Sequence, residues 1–88
     1  MEHEVTLSGF AIAVCDRGFV YVGQCEVDGS WCIITGARNI RAWGTERGLG
    51  QLAQEGPQEN TRIDDVGTVR IPIRGLMHLI DTEEGKWS

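Results

Sequence analysis

The sequence predicts a mainly β domain with one short helix: a small barrel of five or six antiparallel strands, the helix inserted between strands 3 and 4. Three observations predict it. Short apolar, β-branched runs recur between turn-forming residues, which is the patterning of strands. The apolar period changes to that of a helix only after Thr45. Finally, 88 residues enclose one core, so residues 1–88 form a single domain. Short strands in so small a domain hide their edges most readily by curling into a barrel.

The elements follow in order. Met1 to Leu7 is polar and then extended, and Gly9 to Cys15 is a short apolar run expected to be a buried strand. Asp16-Arg17-Gly18 is a turn. Phe19 to Val27 is the clearest strand, and its odd positions (Phe19, Tyr21, Gly23, Cys25 and Val27) form the more apolar face. Asp28-Gly29 supplies the positive φ of a two-residue hairpin turn, leading into Ser30 to Thr35. This strand continues through Gly36, where a bulge or bend is expected, as far as Arg41.

From Thr45, able to cap a helix start, Leu49, Leu52 and Ala53 fall on one helical face, and Gly56-Pro57 ends it. Gly48 and Gly50 each weaken such a helix by roughly 1 kcal/mol relative to Ala, so packing must hold it. Pro57 to Thr61 is a polar loop. Val69, Ile71 and Ile73 then alternate with Arg70, Pro72 and Arg74 in a half-buried strand, which Pro72 assigns to an edge or a bulge. Leu76 to Ile80 is the last strand, and Asp81 to Ser88 is a charged tail.

Composition narrows the function. Hydrophobic residues are 41% and charged residues 24%, an ordinary globular balance. Thirteen acidic against eight basic residues give a net charge of −5, which disfavours nonspecific binding to nucleic acid or to an anionic membrane. Cys15, Cys25 and Cys32 lack the paired spacing of a zinc or redox site and fall in apolar runs, where a free thiol acts as a small core side chain. With no signal peptide and no apolar stretch approaching ~20 residues, a reducing cytoplasm is the expected compartment. A domain this small has marginal stability alone, which makes a homo-oligomer the expectation.

No metal and no cofactor is expected, and no catalytic residue stands out. Cys15 or Cys32 with His78 is the one conceivable nucleophile and base, but nothing in the sequence fixes them together. Asp64-Asp65 are strand neighbours that point to opposite faces. The glycines around the helix start favour an anion only weakly. The most suggestive cluster is Arg38, Asn39, Arg41 and Trp43, followed by Thr45 and Arg47. Arg offers forked donors to phosphate, Asn can read a base edge and Trp gives a stacking face, so the six could bind a nucleotide. The alternative is that Arg38 and Arg41 pair with surplus acids while Trp43 packs on the Leu49/Leu52 face.

Two resemblances add to this. The Val20 to Ile34 hairpin and the Gly67 to Leu76 segment, with its Ile73-Arg74-Gly75, resemble the SH3/Sm-like small barrel, in whose Sm branch subunits form RNA-binding rings. Gly36 to Trp43, Leu49-Gly50-Gln51-Leu52-Ala53 and the final β segment resemble a family of short proteins of unassigned function encoded in bacteriophage and prophage genomes. That likeness runs from about Val14 to Trp87. Asn39 stands where the family has a second Arg, and Gly48 and Gly50 stand where it has serines. The resemblance implies a phage source and transfers no catalytic residue.

The expected function is therefore that of a non-enzymatic phage accessory protein in the host cytoplasm. It would act in counter-defence by binding a nucleotide-type host immune signal without turnover. One alternative is an acidic protein-binding inhibitor of a host nuclease or CRISPR complex, with Glu26, Asp28, Asp64 and Asp65 as its charged contacts. The other is an Sm-like RNA-binding ring. The partners expected are further copies of the chain in a homo-oligomer and a nucleotide-like small molecule or a host defence protein, with no membrane and no nucleic acid.

Overall fold

The computed structural model describes residues 8–87. The expected extended segment at Met1 to Leu7, with His3, lies outside them. Five antiparallel strands form one sheet in the order β4-β3-β2-β1-β5. They are β1 (Ser8–Cys15), β2 (Val20–Asp28), β3 (Trp31–Ala42), β4 (Arg62–Pro72) and β5 (Leu76–Asp81), with an α-helix, α1 (Gly48–Glu55), between β3 and β4. The mainly β class and the position of the helix agree with the sequence. Among the described residues, no helix is long and apolar enough to cross a membrane.

The sheet is not closed, since β4 and β5 form its two edges and do not pair with each other. It is nevertheless strongly bent. The edges are joined directly by a 3₁₀ turn at Ile73–Gly75, and the step from Pro72 to Leu76 reaches at most ~14 Å. In a flat sheet those edges would stand roughly 19 Å apart, at about 4.8 Å per strand. Only a sheet curled at this end satisfies both. Ile71, near the end of β4, accordingly packs in one cluster with Cys15 of β1 and Leu76 of the opposite edge strand.

The two faces have different cores. The inner face of the curl carries Ala11, Ala13, Cys15, Cys25, Cys32, Ile34, Ala37 and Ile71, mostly small side chains because a concave surface leaves little volume. The outer face carries Ile12, Val20, Val22 and Ile40, covered by Leu52 and Ala53 of α1 and by Trp87. β2 therefore buries residues of both faces along Val20 to Gly23, beyond the more apolar odd face. Phe19 lies outside the strand and is 53% exposed.

Local differences from the sequence reading have local causes. The hairpin tip is Gly29-Ser30, one residue later than expected, because Asp28 still pairs with Trp31. Gly29, at φ 63, takes the first central position, where this kind of tight turn places glycine. Gly36, at φ 61, sits where the β3–β4 register shifts, between Ile34 and Ala37, as a bulge requires. The helix starts after Arg47, which makes no side-chain cap; its backbone N–H donates to Gln51 Oε1 instead. Thr45 does not cap: its hydroxyl donates to the Gly48 carbonyl.

β4 begins at Arg62, well before the apolar alternation at Val69. Its first half is exposed apart from Ile63, so hydropathy gave no signal there. Pro72 does end an edge strand, while Ile73 has left the strand for the 3₁₀ turn.

The charged tail hides the largest departure. Trp87 is only 5% exposed and donates its indole N–H to the Ala53 carbonyl at 3.2 Å, clamping the chain end onto the helix.

Candidate interaction face

The outer face is covered over half its length. α1 and Trp87 shield the half built from Phe10, Ile12, Val20, Val22 and Ile40. The other half continues past the bulge in β3 toward the hairpin tip. Register fixes what it displays: Glu26 pairs with Ile33 and Asp28 with Trp31 across β2–β3, while Ile33 pairs with Arg70 and Trp31 with Pro72 across β3–β4. Partners in a ladder share a face. The uncovered half is thus three parallel rows: acidic Glu26 and Asp28 on β2, apolar Ile33 and Trp31 on β3, and Arg70 and Pro72 on β4.

Trp31 is 44% exposed and Ile73 is 36% exposed. At the end of these rows Gly29, Ser30, Trp31, Pro72, Ile73 and Arg74 line a cleft of about 620 Å³, within the usual range for small-ligand sites. The cleft is held from beneath by a 2.8 Å hydrogen bond from the Ile73 N–H to the Ser30 carbonyl, which locks the 3₁₀ turn to the hairpin tip. Among the described residues the ion pairs are Arg41–Asp64 and Arg47–Glu55, so the Arg74 guanidinium at the rim is not spent on a carboxylate.

The six-residue cluster expected from the sequence has a different character. Arg41 is paired with Asp64 at 3.1 Å and Arg47 with Glu55 at 2.9 Å, both on the surface. Asn39 donates to the Val20 carbonyl at 3.2 Å, stitching β3 to β2. Thr45 is held in the loop by its bond to Gly48. The Arg38 guanidinium lies over the Trp87 ring. Trp43 is 42% exposed, and its ring lies beside Gly48; the helix cover expected of it is provided by Trp87. The cluster is therefore not one convergent pocket but a strand, a loop and a helix start, each stabilised by its own contacts.

No family model, curated protein or solved structure matches this chain.

The thiols lie in the inner core, and burial dominates their chemistry. It pushes Cys15 from an ordinary 9.0 up to about 11 and Cys25 up to about 12, and raises Cys32 as well. A protonated thiol is a poor nucleophile. His78 pairs with Val14, whose side chain belongs to the outer cluster, whereas Cys15 and Cys32 belong to the inner one. The sheet itself separates that imidazole from those thiols. Among the described residues no group of His, Cys, Asp and Glu is arranged to hold a metal ion.

The sequence reading missed Trp31 as a site residue. It stands directly after a hairpin tip and opens a strand whose partner row ends in Pro72. The only available signal was its pairing with a Pro on an edge strand, which requires the register to be known.

Proposed function

We propose that this chain is a binding domain that holds a nucleotide-type ligand without turning it over, at the cleft between the β2–β3 tip and the Ile73–Gly75 turn. The observation that carries the reading is the pairing of an exposed stacking ring, Trp31, with the uncommitted guanidinium of Arg74 at one cleft. A flat base and an anionic group are what such a pair recognises, through stacking and forked hydrogen bonds. The curled sheet fits an open form of the small SH3/Sm-like barrel, which would serve as a rigid frame for the cleft. With the resemblance to short phage proteins, we place the activity in counter-defence, as a sponge for a host immune signal in the host cytoplasm.

Titration calorimetry with cyclic dinucleotides and ADP-ribose-type nucleotides tests this. Binding that is lost in Trp31→Ala and Arg74→Ala but kept in Trp43→Ala supports the reading. Absence of heat with every nucleotide sinks it.

The acidic row of Glu26 and Asp28 favours a second reading, a protein-binding inhibitor of a host nuclease or CRISPR complex. There, replacing both acids would abolish inhibition while Trp43→Ala would leave it intact.

A further inference from the structure

We infer that the uncovered half of the outer face is the interface of a two-fold homodimer, formed by stacking β2-β3-β4 of one copy on β2-β3-β4 of another. The inference goes beyond the proposed ligand and does not depend on it. It rests on the order of the three rows: acidic on β2, apolar on β3, basic on β4.

That order is complementary to itself in one orientation only. When two sheets stack face to face, the two-fold axis lies between them, either along the strands or across them. An axis across the strands would lay β2 on β2 and β4 on β4, setting like charges together. An axis along β3 exchanges left and right instead, so the β2 row of one copy lies over the β4 row of the other. Glu26 and Arg70 stand at the same level, each opposite Ile33, so each copy's Glu26 meets its partner's Arg70. Ile33 and Trp31 meet their own counterparts along the axis. Such an isologous contact closes at two subunits, and aligned sheet packing tolerates the roughly 30° that strand twist imposes.

The energetics agree with the geometry. Neither Glu26 nor Arg70 belongs to an ion pair among the described residues, so association disrupts no existing pair at either position. A standard interface takes about 800 Å² from each partner, roughly a seventh of the 5741 Å² surface of this chain. Among the described residues, α1 and Trp87 cover the other half of the face and not this one. The same axis brings the two clefts to one end of the pair, with the two Trp31 rings between them.

The decisive experiment is charge exchange, read by light scattering after size exclusion and by sedimentation. Wild-type protein is expected at twice the 9.7 kDa chain mass. Glu26→Arg alone, or Arg70→Glu alone, sets like charges together and weakens the dimer at least about tenfold. Mixing these two single variants restores a dimer, because each contact then holds one Arg and one Glu; the double variant restores it for the same reason. Circular dichroism of each single variant confirms that its fold is kept. A monomeric wild type at the highest soluble concentration overturns the inference. So does a dimer that neither single variant weakens, or singles whose mixture stays monomeric. A dimer that binds no nucleotide refutes only the proposed ligand, and a monomer that binds one refutes only the dimer.

Discussion

The guanidinium of Arg38 lies 5.7 Å from the centroid of the Trp87 ring, joining the middle of β3 to the last turn of the chain. The same ring packs near Phe10 at a centroid distance of 6.2 Å and bonds to the helix through its N–H. One side chain therefore ties β1, β3 and α1 together.

Trp87→Ala should accordingly destabilise the fold by ~3–5 kcal/mol, as large-to-small changes at buried aromatics do. Trp43→Ala, at a 42% exposed ring, should cost less than about 1 kcal/mol. Urea unfolding of the two variants side by side measures the contrast. Equal losses would mean that the tail does not hold the helix.

Gly56→Ala is expected to cost more than an ordinary helix-end change. The residue closes α1 at φ 82, with its N–H bonded to the Leu52 carbonyl, and a side chain there would run into the Lys86 carbonyl. The backbone strain alone is worth ~1–3 kcal/mol. Gly50→Ala, at a helical position with open space around it, should instead stabilise by up to ~1 kcal/mol. Thermal melts of the two variants should shift in opposite directions.

The thiols predict a definite alkaline behaviour. Burial raises Cys15 from 9.0 to about 11 and Cys25 to about 12, so the folded state keeps protons that the unfolded chain releases. The stability they support is fully present below pH 9 and is lost progressively as pH rises through those folded values. Cys25→Ala should flatten that loss between pH 9 and 12, checked by chemical denaturation at a series of pH values. At pH 8 the native thiols should react with iodoacetamide far more slowly than those of the urea-unfolded chain; comparable rates would contradict their burial.

The two surface ion pairs should matter little. Arg41–Asp64 and Arg47–Glu55 are largely solvent-exposed, and such pairs are worth about 0–1 kcal/mol. Asp64→Asn and Glu55→Gln should each move the urea midpoint only slightly. A large shift for Asp64→Asn would show that the β3–β4 arm depends on charge rather than on its ladder.

What the sequence disclosed follows the physics of each element. β1 to β3, α1 and β5 were legible because buried strands and a buried helix face leave apolar periods, as at Val20–Val22 and Leu49–Leu52–Ala53. The first half of β4 was not, because Asp64, Asp65 and Val66 are exposed on an edge strand held by backbone bonds that carry no hydropathy signature. Trp87 was hidden for a different reason: a lone aromatic in a charged tail has no period at all. Its partners Phe10 and Ala53 are distant in the chain. The cluster from Arg38 to Arg47 looked convergent because its residues are adjacent in sequence. In the fold, alternation along β3 sends Arg38 and Asn39 to opposite faces, and the cleft draws its residues from two turns far apart in the chain.

The direct link between the two edges of the sheet sets when this protein can finish folding. β5 adds to β1, with Ile12 opposite Ile80, so two strands far apart in the sequence must meet before the inner core is sealed. Contacts of such sequence separation make for slow, all-or-none assembly. During synthesis β1 waits without its outer neighbour until β5 has been made. Any truncation that removes Leu76 to Trp87 therefore leaves a chain without a closed core, an aggregation-prone substrate for proteolysis rather than a smaller working domain.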